Sequence, residues 1–199
     1  MSNYNFMDRS SGKYKVANYH KKILKNSYTV LDIGAGTTDL ANFFKFKKYV
    51  AVDISENTIE KFKSLGYEAH LCNSKEIGGK FKENSFDCIF ISHVIEHMYR
   101  DEIIEFIIGA KKILKPNGKI IIIAPSTAAF FFYSEWTHIK PHDYSSLSGL
   151  LKDFGFKNIV WNYTYMHFLP KFIQKIICKF KIGTIAREIT VYGYNNKEI

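Results

Sequence analysis

A glycine turn between two buried apolar runs constrains this chain more than any other feature. Residues 30–33 lead into Gly34-Ala35-Gly36, and a second apolar run, 49–52, ends in Asp53. Continuous apolar runs indicate strands buried on both faces, and glycines allow a tight turn that a ligand can approach closely. Asp53 follows Gly36 by 17 residues, where a strand-end carboxylate can accept hydrogen bonds from ribose hydroxyls. The segment therefore predicts a pocket for a nucleoside-containing cofactor.

The same turn argues against a dinucleotide. The third glycine of a G-x-G-x-x-G pattern is absent, because the position three after Gly36 holds Asp39. A carboxylate at the start of a helix would repel a pyrophosphate. A cationic ligand without phosphates fits the turn better.

The remaining pattern predicts one α/β domain. Strand-like runs that are rich in Val, Ile and Phe occupy 29–33, 49–53, 86–92, 119–124, 159–166 and 185–194. Helix-like amphipathic runs occupy 14–26, 38–46, 57–65, 101–114 and 143–154. Such alternation is typical of a mainly parallel sheet with helices on both faces. A length of 199 residues suits a single folding unit.

The composition indicates in which environment the protein works and what kind of partner it can bind. No apolar run approaches the roughly 20 residues that a membrane span needs, and the first residues are polar, so we expect a soluble, cytoplasmic protein. Three separated cysteines without a C-x-x-C pair indicate neither disulfides nor a zinc knuckle. A net charge of +9 suits an anionic partner, but 25 of the 28 basic residues are lysine, which disfavours nucleic acid without excluding it.

Five segments, in order, resemble one family, the class I S-adenosylmethionine-dependent methyltransferases, in particular the small-molecule group that includes ubiquinone-type O-methyltransferases. The segments are 32–36, Asp53, 86–97, 114–119 and 150–156. The resemblance covers residues 28–194, and it departs from the family's first motif where Thr38 replaces the usual third glycine. It implies a Rossmann-like sheet of seven strands, mostly parallel, with the last strand antiparallel.

The resemblance also implies a cofactor site. S-adenosylmethionine would bind with its methionine part against the backbone of Gly34 and Gly36, and S-adenosylhomocysteine would be the product. Asp32 would reach the amino group, Asp53 would hold the ribose, and Ser92 would face the methionine part and the acceptor. The residues expected to bind the cofactor are Asp32, Gly34, Gly36, Asp53, Ile54, Asn73, Ser74 and Ser92. Asn73 stands where the family commonly has an aspartate that contacts adenine.

Proton transfer requires a base only when the acceptor carries a proton that must leave. The candidate bases are His97, His138 and His142. In some ubiquinone-type relatives a glutamate at the position of His93 binds magnesium together with a Glu-His pair. Because His93 replaces that glutamate, any ion here would be a transition metal, and we expect none: Glu96 and His97 would begin and pack a helix.

Two segments outside the sheet are expected on the substrate side of a single methyltransferase domain spanning residues 1–199. One is the aromatic loop 125–142, which either stacks on an acceptor or seals the core. The other is a basic amphipathic helix within 167–183, whose residues 167–181 either pack on protein or make peripheral membrane contact. Residues 1–27 would form an N-terminal helical cap, and the protein would be a monomer or a homodimer.

The sequence thus predicts methyl transfer to a small-molecule acceptor, at an oxygen of a sugar, quinone or lipid precursor. Two alternatives stay open. One is an RNA or DNA methyltransferase that uses the lysine-rich surface, and the other is a module that binds S-adenosylmethionine without catalysis.

Overall fold

The computed structural model describes residues 23–25, 27–36, 40–44, 46–127, 129, 132–165 and 186–197. Most of the expected N-terminal cap and the whole of the amphipathic segment 167–183 lie outside these residues. The same holds for Phe130 and Phe131 of the aromatic loop. None of the helices in the described part of the chain has the length and apolar character needed to cross a bilayer.

A seven-stranded sheet forms the centre of the molecule, with strand order β3-β2-β1-β4-β5-β7-β6. The strands are β1 (Thr29–Ile33), β2 (Lys48–Asp53), β3 (Glu68–Leu71), β4 (Phe86–Ser92), β5 (Leu114–Pro125), β6 (Phe156–Tyr165) and β7 (Ala186–Asn195). The first five strands pair in parallel, whereas β7 runs antiparallel to both β5 and β6. The predicted fold class and the antiparallel last strand are confirmed.

Five α-helices connect the strands within the described residues. They are α1 (Leu40–Phe43), α2 (Glu56–Ser64), α3 (Ile77–Lys80), α4 (Arg100–Ile113) and α5 (Tyr144–Asp153). Polar side chains fix two of the starts: Ser55 accepts a hydrogen bond from the Thr58 amide before α2, and Asp143 accepts one from the Ser146 amide before α5. The predicted bounds of α2, α4 and α5 are correct to within a residue at each end.

Apolar side chains cover both faces of the sheet, as continuous runs predict. Leu31, Ile33, Ile89 and Ile91 contribute to one core, into which α4 and α5 also pack. Val30, Ala51 and Phe90 contribute to the other, together with Ile59 and Phe62 of α2. Alternate residues of one strand thus enter opposite cores, and the ends of the strands carry the polar groups.

Three expectations about the strands were wrong, and the helix expected over 38–46 is described only over Leu40–Phe43. The sequence pattern did not predict β3, which is only four residues long. Strand β5 begins at Leu114 rather than at 119, because the expected turn lies inside the strand as an irregularity with Asn117 at φ 59°. Strand β6 begins at Phe156 rather than at 159, because a register shift near Asn158, at φ 50°, interrupts the apolar pattern.

Candidate active site

The carboxyl ends of the parallel strands meet at one edge of the sheet. Strand β1 has β2 as its neighbour on one side and β4 as its neighbour on the other, so the strand order reverses direction next to β1. Loops that leave neighbouring strands in opposite directions open a crevice at such a switch point, which is where α/β proteins bind ligands. The residues after β1, β2 and β4 therefore line the candidate site.

The turn after β1 presents bare main chain to this crevice. Gly34 and Gly36 adopt positive φ angles of 65° and 54°, a region that side chains disfavour. The Gly34 amide donates to the Val52 carbonyl at 2.8 Å, which ties the turn to β2. A Cβ atom on Gly34 would collide with the side chain of Val94, so the loop after β4 packs directly against the turn.

Asp53 joins the turn to the end of β2. One carboxylate oxygen accepts a hydrogen bond from the Gly36 amide at 2.9 Å, and the other accepts one from the Ser55 amide at 2.9 Å. A carboxylate oxygen has room for a second donor, so this side chain can still bind hydroxyl groups. The next residue, Ile54, is 76% exposed and offers an apolar surface beside it.

Three other residues expected to bind the cofactor, Asp32, Asn73 and Ser74, already have hydrogen-bond partners in the protein. Asp32 is buried, and its carboxylate accepts a hydrogen bond of 2.6 Å from the Tyr49 hydroxyl. The side-chain oxygen of Asn73 caps a short 3-10 helix, accepting from the Lys75 amide at 3.2 Å and from the Ser74 hydroxyl at 3.4 Å. An adenine amino group would compete with those two donors. Ser92 is half-buried at the end of β4.

A second group of polar residues lies beyond the end of β4. The chain forms a short 3-10 helix over Ile95–His97, and the Ile139 amide donates to the Glu96 carbonyl at 2.8 Å. The loop after β5 is thereby held against this turn, and a bridge between Ser126 and His142 closes its base. We call Glu96, His97, His138 and His142, which this folding brings together, the acceptor-side cluster.

Hydrogen bonds orient two histidines of the acceptor-side cluster. The Nδ1 atom of His97 lies 3.2 Å from the Thr137 carbonyl, and that of His138 lies 2.7 Å from the Phe132 carbonyl. Because a carbonyl oxygen only accepts, each Nδ1 carries the proton and each neutral ring keeps a lone pair on Nε2. The two rings are 4.8 Å apart between centroids, and Phe132 packs on His138 at 4.6 Å.

His142 occupies a more enclosed position. Burial lowers its pKa from the ordinary histidine value, against the opposing attraction of Glu96. The ring is therefore neutral near pH 7. All three histidines predicted as candidate bases thus lie in one cluster, although 41 to 45 residues separate His97 from the other two.

The pairing of His93 with Glu188 was not predicted, because no local pattern in the sequence indicates it. His93 has a positive φ of 57°, and its Nε2 lies 3.1 Å from a Glu188 oxygen, while its Nδ1 lies 3.3 Å from Glu96. Burial opposes a charged ring, but the two carboxylates outweigh it and raise the pKa of His93 to about 9. Glu188 reaches this point because antiparallel β7 sets it opposite Pro125 at the end of β5.

The aromatic loop has both buried and exposed side chains, so it fits in part each of the two roles predicted for it, sealing the core and stacking on an acceptor. Phe132 is buried beneath His138, which is the core-sealing role. Tyr133 and Trp136 are 81% and 77% exposed. The loop therefore supports the cluster from below and leaves large aromatic side chains at its surface.

Comparisons with known proteins agree with this geometry. Residues 31–122 match the family model of a methyltransferase domain. A SAM-dependent methyltransferase from Archaeoglobus fulgidus superposes with a TM-score of 0.71 at 20% identity, over 89% of this chain and 90% of that one. In sequence over residues 31–122 and in fold, the chain is similar to class I S-adenosylmethionine-dependent methyltransferases. S-adenosylmethionine is the cofactor of this family.

Two curated relatives show how far the likeness in sequence extends. The uncharacterized protein MJ0638 of Methanocaldococcus jannaschii is 29% identical over 153 residues, which are 75% of this chain and 63% of that protein. The ubiquinone/menaquinone biosynthesis C-methyltransferase UbiE of Escherichia fergusonii is 29% identical over 138 residues, 59% of this chain and 53% of that protein. This chain thus matches less than two thirds of the length of either relative.

The residues present fit the cofactor of this family. The turn at Gly34 and Gly36 lacks the side chains that would fill the crevice, and Asp53 has acceptor capacity left for two ribose hydroxyls. The carboxylates of Asp32 and Asp53 lie near the ends of β1 and β2, beside the turn, and their negative charge suits a sulfonium cation rather than a phosphate.

Proposed function

We propose that this protein transfers the methyl group of S-adenosylmethionine to an oxygen of a small molecule. The observation that carries the proposal is the arrangement of Asp53 and the glycine turn on one side of the switch point, with the acceptor-side cluster on the other. One side can hold a nucleoside, and the other holds proton-accepting groups. A cofactor and an acceptor require such neighbouring sites.

In this proposal, the residues that line the crevice contact the cofactor. Asp53 would accept from the ribose hydroxyls, and Ile54 would pack on the nucleoside. Asp32 would attract the amino group, and the backbone of Gly34 and Gly36 would lie along the methionine part. Asn73 and Ser74 would lie beside adenine, and Ser92 between cofactor and acceptor. The bound sulfonium supplies an electrophilic methyl carbon.

The protein's part in the reaction is positioning and proton removal. An acceptor oxygen must lie in line with the methyl–sulfur bond, so a rigid pocket wall contributes much of the rate. When that oxygen carries a proton, a neutral imidazole nearby can accept it. The candidates are His97, His138 and His142. Exposed Tyr133 and Trp136 at the loop surface favour an acceptor with a ring or an apolar portion.

The test is calorimetry of purified protein with S-adenosylhomocysteine, followed by a screen of acceptors with isotopically labelled S-adenosylmethionine. We expect binding of one equivalent and labelled product from an oxygen-bearing small molecule. Absence of S-adenosylhomocysteine binding would contradict the proposal. Cofactor binding without transfer to any acceptor would favour a non-catalytic module, and label in RNA or DNA would favour the nucleic-acid alternative.

A second candidate is methylation at carbon. The relative UbiE is named for C-methylation in ubiquinone and menaquinone biosynthesis, which makes a quinone-type ring a reasonable acceptor. An activated ring carbon also loses a proton, so the same histidines would serve. Mass spectrometry and NMR of the labelled product distinguish the two, because an O-methyl and a C-methyl group have different chemical shifts.

A further inference from the structure

We propose that the end of the molecule opposite the candidate active site binds anionic lipid membranes. The amino ends of strands β1 to β6, the carboxyl end of β7 and the last turns of helices α2 to α5 form this surface, which we call the basic end. Among the described residues, thirteen lysines that reach solvent lie there against four acidic residues, an excess of nine. The proposal goes beyond methyl transfer and does not depend on it.

Seven of the thirteen lysines lie at helix ends. Six of them are in the last turns of helices: Lys61, Lys63, Lys80, Lys111, Lys112 and Lys152. The seventh, Lys25, directly follows the helical residues 23–24. Cations at such positions interact favourably with the helix dipole, so helix stability alone can explain them.

The other six lysines have no helix to stabilise. They lie at the strand ends or in the residues just before a strand: Lys47, Lys48, Lys82, Lys115, Lys157 and Lys197. A lysine at the start of a strand gains nothing from a helix dipole. These six therefore indicate that the positive charge of this end serves something besides helix stability.

Acidic residues neutralise only part of the charge at the basic end. They are Glu68, Glu83, Asp87 and Asp153. The first three pair with lysines of this end at distances of 2.8 to 3.8 Å. Lys47, Lys82 and Lys157, in contrast, are exposed, and their ammonium groups have no partner among the described residues.

The active-site end of the sheet does not share this excess of positive charge. The first turns of α2 and α4 contain Glu56, Asp101 and Glu102, and the only basic residue in those two turns is Arg100. Positive charge is thus concentrated at one end of the molecule. A face of one sign attracts a partner of the opposite sign and also orients it.

The chemistry of the basic end favours a lipid surface over nucleic acid. All its basic residues within the described part of the chain are lysines, whereas specific recognition of phosphates and bases favours arginine. Clusters of basic residues bind anionic membranes by diffuse attraction, for which lysine suffices. The helices that contribute lysines pack on both faces of the sheet, so the charge covers a broad face rather than a groove for one nucleic-acid strand.

Exposed apolar side chains lie among these lysines. Tyr28, Leu65 and Ile108 are 66%, 51% and 54% exposed. Tyrosine and aliphatic side chains beside lysines suit the boundary between lipid headgroups and acyl chains. Two depressions of about 560 and about 720 Å³ open on this end, and each has three lysines in its wall that can receive a lipid phosphate.

The experiment measures sedimentation of the full-length protein with lipid vesicles. One vesicle type is pure phosphatidylcholine, and the other is phosphatidylcholine with a minor share of phosphatidylserine. We expect binding to the anionic vesicles alone. Binding should be lost as NaCl is raised from about 0.1 to about 1 M, because the Debye length falls from about 10 to about 3 Å.

The double variant Lys47→Glu/Lys157→Glu tests where the membrane binds. A lysine near an anionic surface strengthens binding about fivefold, so this variant should bind anionic vesicles at least about tenfold more weakly. Arg100→Glu/Lys140→Glu is the matched control. It changes the net charge by the same amount at the active-site end, where both side chains are exposed, and should bind as the wild type does.

Circular dichroism shows whether each variant is folded. Absence of binding to anionic vesicles, equal binding to both vesicle types or equal losses in the two double variants would overturn the proposal. Undiminished binding by folded Lys47→Glu/Lys157→Glu would also overturn it and direct attention to residues 167–181. Tighter binding of single- or double-stranded RNA than of anionic vesicles at equal salt would assign the basic end to nucleic acid instead.

Calorimetry with S-adenosylhomocysteine on the same wild-type sample keeps this proposal separate from the proposed function. The crevice lies at the other end of the strands, so a membrane on the basic end leaves it open to solvent. Vesicle binding without S-adenosylhomocysteine binding would support the lipid surface and contradict the proposed function. The reverse result would overturn the lipid surface alone.

Discussion

At the scale of single residues, Asp53 is the side chain on which cofactor affinity should depend most. Replacing Asp53 with alanine removes the acceptors for ribose hydroxyls, and hydrogen bonds to a charged group contribute about 1.5–3 kcal/mol. We expect S-adenosylhomocysteine to bind roughly 10- to 150-fold more weakly, as measured by calorimetry.

Two controls accompany Asp53→Ala. Glu60→Ala removes an exposed carboxylate from α2 and should leave the affinity unchanged. Because Asp53 also accepts from the amides of Gly36 and Ser55, thermal unfolding of the variant is measured to show that the turn survives. Unchanged affinity in a folded Asp53→Ala protein would remove Asp53 from the cofactor site.

At the scale of elements, helices α3 and α4 cross at a pair of glycines. A Cβ atom on Gly109 would lie 2.9 Å from the backbone nitrogen of Gly78. Gly109→Ala therefore forces the helix backbones apart, and overpacking of this kind costs about 1–3 kcal/mol, more than the gain of about 1 kcal/mol in helix propensity. We expect a lower free energy of unfolding in urea denaturation.

Gly149→Ala on α5 is the matched control for Gly109→Ala. Nothing lies within 4 Å of the Cβ that it would add, so only the helix-propensity gain applies. This variant should be as stable as the wild type or more stable. Equal stability of both variants would mean that the α3–α4 contact tolerates a methyl group.

Asp87 connects three strands, and this connection should depend on pH. One oxygen accepts from the Thr29 amide at 2.8 Å and from its hydroxyl at 2.6 Å, while the other lies 3.0 Å from the Lys115 ammonium. Burial opposes the charged form, but these hydrogen bonds outweigh it and lower the pKa of Asp87. The carboxylate thus stabilises the fold above its unfolded pKa of about 3.9, and this contribution is lost as pH falls through the lower folded value.

Urea denaturation of Asp87→Ala at several pH values tests this connection. The variant should be less stable than the wild type by about 1.5–3 kcal/mol at pH 7, and the difference should shrink below about pH 4. Glu60→Gln, which replaces an exposed carboxylate, should show no such trend. A difference that stays constant down to acid pH would contradict the assignment of Asp87.

At the scale of the whole molecule, ligand binding should stabilise the fold. A ligand at 100 times its Kd adds about 2.7 kcal/mol to the free energy of unfolding, which for a chain of this size corresponds to a Tm increase of about 5 to 10 °C. Differential scanning fluorimetry with S-adenosylhomocysteine measures it. The Asp53→Ala protein at the same concentration should show a smaller increase, and no increase in the wild type at any concentration would contradict a preformed site.

The local sequence predicted most of the fold and the turn that we propose binds the cofactor. Apolar runs predicted β1, β2 and β4, and amphipathic runs predicted α2, α4 and α5. The glycine turn followed by Asp53 was predicted from spacing. Each of these features depends on residues that are neighbours in sequence. The irregularities in β5 and β6 escaped prediction, since a single residue at positive φ breaks a pattern without leaving a local signal.

Only the tertiary structure brought together the acceptor-side cluster and the pair of His93 with Glu188. The contact between Glu96 and His138 joins the loops after two different strands, and Glu188 arrives 95 residues after His93 through the antiparallel β7. Whether a buried carboxylate has a donor depends on packing between such distant segments. Sequence therefore supplied the residues of this cluster, and the closure of the sheet decided which of them meet.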